Sequence, residues 1–195
     1  MTKTSARQLI LEAVATCIEK YGIDKLTTRK IAEEAGTNVA SINYYFRSKD
    51  ELVAEALMMT IRHMMEDVFV AIDEQDSPFQ AVLEDVFFYL IDGATRFPGI
   101  STAHLYAAVV EKRYDSPGAL AIVRVFERLV EGAMAEYPGK DPGQIRFLLS
   151  QVISAIMFAM LAPGFFPLPE KVQPLDEERC RAIAKSYAKT FFSAM

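Results

Sequence analysis

A chain of 195 residues, 51% hydrophobic and 24% charged, has enough apolar content for a real core and enough charge to stay soluble. That excludes an intrinsically disordered chain, and nine Gly and nine Pro exclude a low-complexity or collagen-like one. Two cysteines, Cys17 and Cys180, make no disulfide framework. Lys3, Arg7, Glu12, Glu19 and Lys20 interrupt any signal-peptide apolar block, so the chain reads as cytoplasmic. The net charge of −5 is uneven: residues 1–50 hold eight Lys/Arg against six Asp/Glu, and the remainder nets −7. An acidic whole argues against indiscriminate nucleic-acid binding but leaves room for a basic footprint at the N-terminal end.

Every segment reads as helix. Leu9/Ile10, Ala13/Val14, Cys17/Ile18 and Tyr21 form a stripe at helical period, stopped by Gly22. Thr27 caps a short helix to about Ala35, with Leu26 and Ile31 at the staple positions. Gly36-Thr37 turns the chain, and Asn38 caps a further short helix ending near Phe46. Ser48 and Glu51 form a capping box that opens a long helix over 49–73, whose apolar pairs run from 52/53 to 68/69. Ser77-Pro78, Ser116-Pro117 and Asp141-Pro142 each put a capper before a proline at the first helical position. Phe97-Pro98-Gly99 and Tyr137-Pro138-Gly139 read as matching stops, with a shorter helix expected at about 102–113. A proline-punctuated loop from Pro163 to Pro174 precedes a last helix from about Asp176. The fold class expected is all-α, with about nine helices.

Residues 147–169 carry no charge, but Ser150, Gln151, Ser154 and the Pro163-Gly164 break argue against a membrane span. A helix apolar on nearly all sides is expected to be buried on all sides, against a second subunit as well as its own core.

Leu26 to Lys49 holds the chemistry. Two short helices joined by a glycine-containing turn have the helix-turn-helix layout, whose second helix enters the major groove. Ile31, Ala35, Ile42 and Phe46 are expected inward; Val39, Ser41, Asn43 and Tyr45 outward, where they suit base edges and phosphates. Small Ala40 and Ser41 let the helix sit deep, and Tyr44 is expected to pack between helices. Leu26-Thr27-Thr28-Arg29-Lys30-Ile31-Ala32, Ala35-Gly36 and Tyr44-Tyr45-Phe46-Arg47-Ser48-Lys49-Asp50-Glu51-Leu52 resemble the tetracycline-repressor (TetR) family over residues 7–53. The resemblance implies a helix-turn-helix DNA-binding domain over 1–48. It implies a helical effector-binding and dimerisation domain over 49–195, joined to the head by the long helix. Carried over residue by residue, it assigns DNA contacts to Thr28, Arg29, Val39, Ala40, Ser41, Asn43, Tyr45 and Lys49. Asn43 stands where the family most often has tyrosine, and Val39 is apolar where many members are polar.

The function so implied is a ligand-responsive transcriptional regulator, more often a repressor in this family. It would bind a palindromic operator as a homodimer formed through the last two long helices, about 142–162 and 176–194. The alternative is a helical small-molecule-binding dimer without sequence-specific DNA binding. For the effector, Met64, Phe69, Phe87, Tyr106, Met134 and Phe158 are candidate lining for an adaptable apolar cavity, which favours an apolar or aromatic ligand. Phe165 and Phe166 are assigned to the pocket mouth or the dimer interface, with the interface preferred. No Cys/His cluster with metal-ligand spacing, P-loop, GxGxxG or GxSxG occurs, so no catalytic residue, metal or cofactor is expected. His63 is expected at or near a helix surface and His104 as a polar pocket group.

Overall fold

The computed structural model describes residues 5–73, 77–162 and 176–195. Phe165 and Phe166, with the loop from Pro163, lie outside them. The described residues form nine α-helices and a 3-10 turn, with no strand among them. In chain order these are α1 (Ala6–Tyr21), the turn Ile23–Lys25, α2 (Thr28–Glu34), α3 (Val39–Tyr45), α4 (Lys49–Asp73), α5 (Phe79–Arg96), α6 (Pro98–Val109), α7 (Pro117–Glu136), α8 (Pro142–Leu161) and α9 (Glu177–Ala194). The chain divides into two compact units, Met1–His63 with Gly99–Ala119 and Met64–Pro98 with Leu120–Met195.

Capping explains most boundaries. Ser5, Thr27, Asn38, Asp141 and Asp176 each accept an amide hydrogen from three residues on. Gly22 and Gly36 take φ of +79° and +62°, a left-handed backbone that other residues enter at a cost. The capping box at α4 is made in a modified form. Glu51 donates its amide to Ser48 Oγ at 3.1 Å, but its carboxylate accepts from the Arg47 amide rather than from Ser48.

Two sequence expectations are corrected. Pro78 stands outside α5, at its N-cap, and offers no side-chain acceptor. The first helical amide, Phe79, donates instead to Glu136 Oε2 at 2.7 Å. Phe97-Pro98-Gly99 does end α5, at Arg96, but Pro98-Gly99 also opens α6, four residues earlier than the expected 102, and α6 ends at Val109 rather than near 113. The cap comes from another helix. The two carboxylate oxygens of Glu19 on α1 accept the Gly99 and Ile100 amides at 3.0 and 2.7 Å, neutralising free donors at the positive end of α6. No local pattern could announce a cap supplied from eighty residues away. Glu19→Ala should therefore destabilise the protein by about 1–2 kcal/mol, read from denaturant unfolding, whereas exposed Glu12→Ala should change little.

In the first unit Ile10, Leu11, Val14, Ile18, Leu26, Ile31, Ile42, Phe46 and Leu52 make the core, each at most 4% exposed. α6 is fastened into it at further points. His104 Nε2 lies 3.1 Å from Thr60 Oγ1 on α4, and the Tyr106 hydroxyl is hydrogen-bonded to Asp24. In the second unit α5 packs along α9, and Phe79, Tyr137, Phe191 and Phe192 form an edge-to-face cluster. Arg181 of α9 lies 3.9 Å over the Phe88 ring and pairs with Glu177 and Asp85. α8 buries Ile145, Leu148, Leu149, Val152, Ile153 and Ile156 but is not buried all round. Phe147 is 62% exposed and Phe158 47%, on an uncharged outward stripe with Ser150, Gln151, Ser154 and Ala155.

Candidate nucleic-acid interface

The helix-turn-helix is set by burial on one side of each short helix. Ile31 and Ala32 of α2 and Ile42 of α3, with Phe46 just beyond, face the core, while Ala35 is half-buried. The turn closes through Thr37 donating to the Ala32 carbonyl at 2.9 Å. Asn38 Oδ1 accepts the Ser41 amide at 2.8 Å, which fixes the first turn of α3. Successive residues of an α-helix are ~100° apart, so with Ile42 inward the outermost line is Ala40 and Tyr44. Val39 and Asn43 flank it on one side, Ser41 and Tyr45 on the other.

Exposure follows that geometry. Ala40 and Asn43 are exposed, Val39 and Tyr45 are each 38% exposed, and Ser41 is half-buried. Tyr44, expected to pack between helices, is instead 82% exposed, with its ring edge-to-face on Tyr45 at 5.0 Å between centroids. The outward set inferred from the sequence was an alternating one, 39, 41, 43 and 45, whereas a helix aligns residues four apart. The i, i+4 relation to Ala40 was the signal that would have found Tyr44.

Cations flank this face. Arg29 of α2 has a side chain 86% exposed and pairs with Glu33 at 3.3 Å, and Thr28 beside it is half-buried. Lys49, exposed at the first position of α4, donates from Nζ to the Leu26 carbonyl at 3.3 Å, tying α4 to the residue before α2. Lys30 donates to the Lys25 carbonyl at 2.9 Å and lies 4.4 Å over the Tyr21 ring. Arg7 pairs with Glu55 at 2.6 Å and sits 4.9 Å over Phe46, bracing α1 against α4. A rigid scaffold thus presents short polar and aromatic groups on one helix with cations at its margins, an arrangement suited to a duplex.

The effector candidates fall in both units. Tyr106 belongs to the first unit, and Asp24 raises its pKa by accepting its hydrogen bond. In the second unit Phe87 is fully buried, Met64 and Phe69 are half-buried, and Met134 and Phe158 are 40% and 47% exposed. Phe69 has Arg124 6.0 Å over its ring. His63 is exposed, and His104 is buried in the first unit with its pKa pushed down to about 4 by desolvation. Burial raises the Cys17 and Cys180 thiols, which makes them poor nucleophiles. Among the described residues no three His, Cys, Asp or Glu are grouped to hold a metal ion, and no helix is long and apolar enough to cross a membrane.

Fold and surface together define a helix-turn-helix protein with a helical body. Residues 10–56 match the model of the bacterial regulatory proteins of the tetR family. Over 76 residues the chain is 32% identical to the HTH-type transcriptional regulator BetI of Brucella abortus (strain 2308), a stretch covering 39% of this chain and 38% of BetI. The chain thus matches well under half the length of that relative. The fold extends the likeness to the whole chain. A TetR-like transcriptional regulator from Rhodococcus sp. RHA1 superposes with a TM-score of 0.71 at 13% identity, covering 99% of this chain and 98% of that one. The transcriptional regulator FadR from Bacillus subtilis, in complex with stearoyl-CoA, superposes with a TM-score of 0.64 at 14% identity, covering 96% and 98%.

Proposed function

We propose that this protein is a ligand-responsive transcriptional regulator, a repressor by family habit, that binds a palindromic operator as a homodimer. The observation that carries the reading is the exposed face of α3, where Val39, Ala40, Asn43 and Tyr44 project from a helix braced on a buried core. Thr28, Arg29, Ser41, Tyr45 and Lys49 complete the contact set, with Tyr44 added to it. Ala40 and Tyr44 at the centre touch base edges, and Arg29 and Lys49 at the margins meet phosphates. The match of residues 10–56 to the tetR-family model supports the same assignment.

The homodimer is assigned to α8 and α9, which carry the interface over 142–162 and 176–194. The uncharged outward stripe of α8 supports it, since exposed phenylalanines beside small residues are costly to leave in water and pack closely once covered. Two-fold symmetry then offers two α3 helices to two half-sites about one helical turn apart or somewhat more. The effector is an apolar or aromatic small molecule held by the body, a reading that FadR's binding of stearoyl-CoA supports. α6 lies 50 residues beyond the head yet is pinned to α1 and α4 by Glu19 and Thr60, so a ligand that displaces α6 shifts the head with it. The ligand must bind the DNA-incompetent state more tightly to act as a releaser.

Selection of bound duplexes from a random pool tests the function. An enriched palindrome is expected, and a folded dimer that enriches nothing at either low or high salt defeats the reading in favour of a ligand-binding dimer. On the selected operator, Lys49→Ala should flatten the slope of log affinity against log salt by about one for each phosphate that the lysine neutralises, equally for all sequences. An unchanged slope would remove Lys49 from the interface.

A further inference from the structure

We propose that the recognition helix reads A·T base pairs, Asn43 bonding to an adenine edge while Val39 and Ala40 lie against thymine methyl groups. This rests on the DNA-binding reading above and specifies what that site recognises. In the major groove guanine is read chiefly by Arg or Lys on O6 and N7, and cytosine by a carboxylate on its amino group. α3 carries neither kind of side chain: Val39-Ala40-Ser41-Ile42-Asn43-Tyr44-Tyr45 contains no Arg, Lys, Asp or Glu. Adenine is read by an Asn or Gln amide that donates to N7 and accepts from the N6 amino group, and thymine by an apolar contact with its methyl. α3 supplies both.

Asn43 is the side chain free for that role. It is exposed and makes no hydrogen bond within the chain among the described residues, whereas the Asn38 amide oxygen is spent on the Ser41 amide. Asn43 stands one turn beyond Val39, itself 38% exposed, so the two project from the same side of α3. Ala40, next to Val39 at the outermost line, is too short to hold the helix off the bases. Four residues advance a helix by ~6 Å, so the adenine and the thymine fall within about two base pairs of each other. Of the neighbouring cations, Arg29 and Lys49 are assigned to phosphates at the margins, and Lys30 donates to the Lys25 carbonyl. Arg47 follows the end of α3 and lies outside its exposed face.

The test uses the full chain and chemically altered operators. In the duplex enriched from the random pool, each adenine is replaced in turn by 7-deazaadenine and each thymine by uracil, and affinity is measured at one salt concentration. The expected result is one adenine per half-site where loss of N7 weakens the wild type about tenfold and leaves Asn43→Ala unaffected. A thymine within two base pairs should show a several-fold loss on removal of its methyl, and that loss should shrink in Val39→Ala. Because the alterations are made in the DNA, the wild-type measurements do not depend on how either variant folds. Discriminating positions that prove to be G·C, or indifference to 7-deazaadenine at every adenine, would overturn the proposal. A pool that yields no enriched sequence would overturn the DNA-binding reading and this proposal with it.

Discussion

Gly118→Ala is expected to lower stability by about 3 kcal/mol, seen as a fall of roughly 6–12 °C in Tm for a chain of this size. A Cβ on Gly118 would sit 2.5 Å from the His104 carbonyl oxygen and 2.8 Å from the His104 Cβ. Both are on the body of α6, so no side-chain rotation relieves the clash and a helix must move. α6 is at the same time held by the Glu19 carboxylate at its first amides and by Thr60 at His104, so moving it costs those bonds as well. Gly139→Ala is the control. Its added Cβ meets nothing within 4 Å, and its Tm should stay within about 1 °C of wild type. Equal behaviour of the two variants would show that the close approach at Gly118 is relieved without cost.

His104 should make the protein acid-sensitive at a single position. Burial holds its pKa down to about 4, against about 6.5 in an unfolded chain. The unfolded state therefore binds the proton first. The neutral buried ring contributes full stability above pH 6.5, and that contribution is lost progressively as pH falls from 6.5 towards 4. Between pH 7.5 and pH 5 the loss assigned to this one group is about 2 kcal/mol. With the Thr60 hydroxyl donating to the Leu57 carbonyl at 3.0 Å, the bond to Thr60 comes from an Nε2–H donor, so it does not compensate a second proton on Nδ1. Denaturant unfolding at the two pH values should show the wild type losing about 2 kcal/mol more than His104→Gln. Parallel losses in both would mean that His104 is as easily protonated in the folded protein as in the unfolded one.

Much of the head was legible from local chemistry. Thr27, Asn38 and Ser48 announce helix starts because a short side-chain oxygen three residues before a free amide is a local arrangement, and they cap α2, α3 and α4 where expected. Gly22 and Gly36 mark turns for an equally local reason, the left-handed backbone. The inward set Ile31, Ile42 and Phe46 followed from apolar character. What failed was phase. Tyr44 is as apolar as a core residue by composition, and only its position opposite Ile42 sends it into solvent. The body was less legible: hydrophobic residues at helical spacing say that a helix has a buried side, not which neighbour covers it. Phe87 and Phe158 look alike in sequence, yet one is sealed in the second unit's core and the other is half exposed on α8.

By itself, then, the sequence determined an all-helical chain, its cap-defined helix starts and a helix-turn-helix of TetR type, because these depend on contacts within a turn or two of helix. Tertiary structure alone decided that α6 begins at Pro98, since its cap is the carboxylate of Glu19. It alone decided that His104 is a desolvated base, that Gly118 must lack a side chain, and that Tyr44 faces outward. Each of those depends on which distant backbone or side chain arrives at a given point, and no local spacing carries that information.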